Sequence, residues 1–141
     1  MPRDSVGRGP DARAVALDVL LRVETTAAFA DVLLAHRLSQ TALTPEDRTL
    51  ATRLVYGTLA WQGRLDHDLA ALLRTPLARL DPPVRAALRL GLYQLRFLER
   101  IPAYAAVDAS VRLARLAAGP GAGGLVNAVL RRAVKIGRAH V

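Results

Sequence analysis

Apolar residues recur at helical spacing in every long segment of this chain. No stretch keeps the alternation of two that a half-buried strand requires. The pattern begins in "ARAVALDVLLRVE", where Val15, Ala16, Val19, Leu20 and Val23 fall on one face behind Asp11, a candidate N-cap. "AFADVLLAHRLSQ" predicts a second helix. "LTPEDRTL" gives the clearest start, with Thr44 as cap, Pro45 in the first helical position, and Glu46 and Asp47 against the positive end of the dipole. That helix is expected to run through "RLVYGTLAWQGRLDHDLAALL" with a break near Gly63. Asp81 and "PP" open "VRAALRLGLYQLRFLER", which "IP" ends. "AYAAVDASVRLARLAA" follows, then "GPGAGG" as a loop, then "LVNAVLRRA". About seven helices, no strands and short connections predict a compact all-α bundle.

Composition narrows the class. The 141 residues suit one domain, and 52% hydrophobic with 23% charged residues is a globular balance. No apolar run approaches the ~20 residues that span a bilayer, and no hydrophobic stretch follows the basic N-terminus as in a signal peptide. With no cysteine there is no disulfide framework and no thiolate chemistry. These features place the chain in the cytoplasm, away from membranes. The net charge of +8 points to a polyanionic partner, nucleic acid first. Genome composition explains why arginine replaces lysine, but not the excess of twenty bases over twelve acids.

Catalytic and metal signals do not assemble. "GPGAGG" fits G-x-G-x-x-G in letters, but a helix precedes it and no acidic residue follows at ribose distance. In "LDHDL", Asp66, His67 and Asp68 are neighbours that point in different directions, with no partner at i+4 for a zinc face. His36 shares a face with Phe29, Val32 and Leu33 and is expected as a hydrogen-bonded histidine at a core margin. No catalytic residue, cofactor-binding residue or metal ligand is assigned.

The arginines carry more. Arg85, Arg89, Arg96 and Arg100 fall on one helical stripe with Tyr93 at its edge, opposite Val84, Ala87, Leu88, Gly91, Leu95 and Leu98. Arg53, Tyr56 and Arg64 form a second stripe beside Gly57. Each arginine taken singly fits pairing with Asp66, Asp81 or Glu99. The set fits RNA, with bases stacking on Tyr56 or Tyr93 while arginines hold the backbone. Gly57 and Gly91 each cost about 1 kcal/mol in a helix interior, so both predict close helix packing.

Three blocks, "DRTLATRLVYGTLAWQGRLD", "LRLGLYQLRFLERIPAYAAVDASVRLAR" and "GLVNAVLRR", resemble the N-terminal domain of ribosomal RNA cytosine-C5 methyltransferases of the RsmB/Sun type. That domain is similar to the antitermination factor NusB, an all-helical RNA-binding fold of two packed subdomains. The resemblance covers roughly residues 11–134. It implies an RNA-binding accessory domain that contacts small-subunit ribosomal RNA and works in cis with a C-terminal methyltransferase domain. Catalysis and S-adenosylmethionine would belong to that domain, so this chain by itself is expected to be no enzyme and to hold no cofactor. The family's arginine-rich N-terminal segment would correspond to Arg3, Arg8 and Arg13. The alternative is a complete NusB-type transcription antitermination factor that binds RNA with a ribosomal-protein partner.

The end of the chain stands apart. Lys135 is the sole lysine, and "IGRAHV" is what a common sequencing adapter gives when translated in one frame. The expected organisation is a flexible basic arm at 1–10, the helical domain at 11–134, and a non-native tail of adapter read-through at 135–141.

Overall fold

The computed structural model describes residues 11–137. Seven α-helices are present in it: α1 (Ala12–Thr25), α2 (Ala30–Gln40), α3 (Pro45–Ala60), α4 (Gln62–Leu72), α5 (Pro82–Phe97), α6 (Ala103–Ala118) and α7 (Pro120–Ile136). A short 3-10 turn (Leu77–Arg79) precedes α5, and no strand occurs among the described residues. The all-α expectation holds. Contacts divide the chain into two compact units, the first up to Tyr56 and the second from Gly57.

In the first unit the start signals act as the residues suggest. Asp11 Oδ1 accepts from the Ala14 N–H at 2.9 Å, and Thr44 Oγ1 accepts from the Asp47 N–H at 3.1 Å. Helices α1 and α2 pack together, and Arg37 donates from Nε to Asp18 across them at 2.8 Å. Val15, Ala16, Val19 and Leu20 are buried on α1, as are Leu34 on α2 and Ala51, Leu54 and Val55 on α3. His36 departs from expectation. It is exposed, and so are Phe29 and Val32 on its face, because α2 turns Leu34 inward instead.

In the second unit α5 is the central helix, packed against α4, α6 and α7. It is buried on nearly every side, including Leu90, Leu92, Tyr93, Gln94 and Arg96. Glycine makes part of this possible: a Cβ at Gly91 would lie 2.5 Å from Leu130 Cδ1 and 2.8 Å from Ser110 Oγ. At Gly57 a Cβ would meet the Tyr93 ring. Both glycines are packing residues.

Three boundaries differ from the pattern. The break after α3 falls at Trp61 rather than Gly63. Helix α5 stops at Phe97, since Leu98 leaves helical geometry (φ −114°, ψ 79°), so Arg100 is not on the helix. "GPGAGG" is not a loop. Gly119 (φ 95°, ψ 175°) is the joint, Pro120 takes the first helical position, and Gly121 to Gly124 form the first turns of α7. Gly123 is buried within 3.3 Å of Arg115 Cβ when a Cβ is placed on it, so helix packing overrides glycine's poor propensity. Helix α7 also runs two residues past 134, until Gly137 (φ 85°) ends it.

Candidate nucleic-acid interface

The arginine stripe expected on α5 is drawn into the fold. Arg89 donates from Nε and Nη2 to the two carboxylate oxygens of Asp66 at 2.7 and 2.9 Å, a fork that ties α5 to α4. Arg96 is 9% exposed and faces Asp68 at 3.8 Å, while Asp68 also receives Arg64 Nε at 3.3 Å. Arg85 turns back and donates to the carbonyls of Leu77, Ala78 and Leu80, closing the 3-10 turn. Arg100 is exposed beyond the helix end.

These positions do not form one solvated track for a phosphate backbone. Tyr93 is 5% exposed and stacked on Phe97, so it presents no face to a base. The physical reason is the burial of α5: a guanidinium on a helix covered on all sides must find acceptors within the protein. The pairing of Arg89 with Asp66 is what a single arginine on this pattern already suggested.

The second stripe does not lie on one helix, because the break at Trp61 divides it, although its residues are exposed. Arg53 and Tyr56 are exposed on α3 in the first unit, and Arg64 is exposed on α4 in the second. Arg13 is half-buried on α1, and Arg3 and Arg8 lie outside the described residues.

Two features went unread in the sequence. An open groove of about 730 Å³ runs between the segment after α4 and helix α7. Leu73, Leu80, Leu125 and Val129 contribute apolar surface, and Arg74, Arg131, Arg132 and Lys135 supply four cations with no carboxylate among the lining residues. Like charges so placed repel one another, and a polyanion laid between them relieves that repulsion. The arginine doublet of "VLRRA", with Lys135 one turn further, was the available signal. The second feature is Trp61, 47% exposed at the start of α4 with its ring against Phe97. Among the described residues no three His, Asp or Glu converge on a metal position, and no helix is long and apolar enough to cross a membrane.

An all-helical chain whose second unit is built round the buried helix α5 and carries a cationic groove is the class these observations define. The chain belongs to the NusB family, whose profile it matches over residues 10–135. It is 46% identical to ribosomal RNA small subunit methyltransferase B of Thermus thermophilus over 120 residues, 85% of this chain and 29% of that protein. It is 50% identical to the protein of the same name from Pseudomonas putida over 91 residues, 64% of this chain and 21% of the relative. The chain therefore spans less than a third of the length of these curated relatives. Among solved structures, antitermination factor NusB in its complex with NusE and double-stranded RNA superposes with a TM-score of 0.82 at 26% identity, covering 89% of this chain and 94% of that one.

Proposed function

We propose that this chain is the RNA-binding accessory domain of a ribosomal RNA cytosine-C5 methyltransferase, acting in the cytoplasm on small-subunit ribosomal RNA. The observation that carries the reading is the groove beside α7, which gathers Arg74, Arg131 and Arg132 and no acid, Lys135 belonging to the expected non-native tail. The identity to two methyltransferases and the likeness to an RNA-bound NusB support the choice of RNA over other polyanions. In such a protein the methyl transfer resides outside this domain, and the role here is to hold the substrate RNA. S-adenosylmethionine does not suit this groove, because its sulfonium and ammonium outweigh its one carboxylate and the lining offers no acid to receive that excess positive charge. The likeness to NusB along nearly its whole length supports a second reading, an antitermination factor acting with a ribosomal-protein partner. The natural reading frame beyond residue 135 separates the two, since several hundred further residues with cysteines would favour the methyltransferase.

The test of RNA binding is the anisotropy of a fluorescein-labelled single-stranded RNA measured across a salt series. Three phosphate contacts, from Arg74, Arg131 and Arg132, should give a log K against log salt slope of about −2, at about −0.7 per contact. Replacing Arg131 and Arg132 together with glutamine should weaken binding and make that slope shallower by roughly 1 to 1.5, about equally for different RNA sequences. An unchanged slope would move the RNA path off α7. No binding at low salt would refute the proposed function.

A further inference from the structure

Trp61 is a large aromatic side chain left partly in solvent. It stands at the break between α3 and α4, 47% of it is exposed, and it is the only tryptophan in the chain. Its inner side is firmly held. The indole lies 4.7 Å from the Phe97 ring, centroid to centroid, at 30°. Phe97 in turn lies 5.3 Å from Tyr93 at 28°. Tyr93 is buried, and its ring fills the space left by the missing side chain of Gly57. The three rings form a stair from the core to the surface, anchored at its inner end and open at Trp61.

Two arginines lie beside Trp61. Arg64, on the next turn of α4, and the buried Arg96 share the single carboxylate of Asp68 at 3.3 and 3.8 Å. These two guanidiniums line the same small hollow as the indole, on a chain whose net charge is +8. A braced, partly exposed indole beside such a cluster matches the two demands of an unpaired nucleotide, a π-face for the base and positive charge for its phosphate. A base within a duplex is already stacked on both faces, so only an unstacked one can use the ring.

The geometry points to Trp61 as a stacking platform for one unpaired base of RNA, with Arg64 beside it to face the adjoining phosphate. This inference rests on the RNA-binding reading above and adds to it a nucleotide position away from the groove residues of α7.

Because Trp61 is the sole tryptophan, the emission of the intact chain reports on it directly. The experiment titrates the chain with a mixed-sequence, twelve-nucleotide single-stranded RNA at low salt, reading indole fluorescence and the anisotropy of the labelled RNA in parallel. Stacking predicts quenching that saturates together with the anisotropy, and no quenching by a duplex of the same sequence. Trp61→Leu should weaken single-strand binding by about 5- to 150-fold with little change in salt slope, and Trp61→Phe should recover most of the loss. Circular dichroism melting of both variants checks that they fold. An anisotropy rise without quenching, or wild-type affinity in a folded Trp61→Leu, would overturn the platform while leaving RNA binding intact. No anisotropy change in any chain would overturn both readings at once.

Discussion

Gly91 lies where α5 meets both α6 and α7, and the adjoining atoms leave no room for a side chain. Leucine there must displace Leu130 and Ser110, which lie well inside contact distance of a Cβ. Gly91→Leu should therefore cost roughly 1–3 kcal/mol through overpacking. Gly91→Ala gains up to about 1 kcal/mol of helix propensity against the same crowding, and its net effect should be smaller. Urea unfolding checks both, and an unchanged midpoint for Gly91→Leu would mean that the residue is not in a helix contact. That Gly57 and Gly91 pack was legible, because a glycine inside a helix is costly unless something comes close. What comes close was not legible. Nothing in the local pattern says that the Tyr93 ring lies over Gly57, and this pairing removes Tyr93 from the surface where a base could reach it.

Helix boundaries follow from short-range chemistry, and so the caps at Asp11 and Thr44 and the prolines opening α3 and α5 could be read directly. The environment of α5 could not. Helical periodicity counts arginine as a solvent-facing residue, whereas Arg89 and Arg96 are met by carboxylates on α4. This distinction makes a prediction at the level of the helix pair. Replacing Arg89 and Arg96 with glutamine should destabilise the chain, with about 1.5–3 kcal/mol from the Arg89–Asp66 fork alone. It should leave the salt slope of RNA binding unchanged, in contrast to the Arg131 and Arg132 pair. Thermal melts and a salt series on the same protein separate the two effects. A shallower slope at unchanged stability would restore the phosphate track to α5. The glycine-rich start of α7 was misread for a related reason: propensity is local, while the packing of Gly123 against α6 is not.

For the molecule as a whole, the net charge of +8 marked a polyanion as partner, and three sequence blocks carried the family resemblance. Total charge could not say which cations face water, since that depends on where the acids fall in three dimensions. Helices α6 and α7 are joined by Gly119 alone, in a backbone region (φ 95°, ψ 175°) open essentially only to glycine. They pack along their lengths, so this hairpin closes between neighbours in sequence, at a low cost in loop entropy. A Cβ at Gly119 meets nothing within 4 Å, so Gly119→Ala would add backbone strain of about 1–3 kcal/mol without any crowding. If the hairpin is the nucleus, stopped-flow refolding followed by Trp61 emission should slow in this variant while unfolding hardly changes. An effect confined to unfolding would mean that the joint closes late. Slowed refolding would make the glycine a timing element, deciding when during folding the rest of the second unit acquires a surface on which to condense.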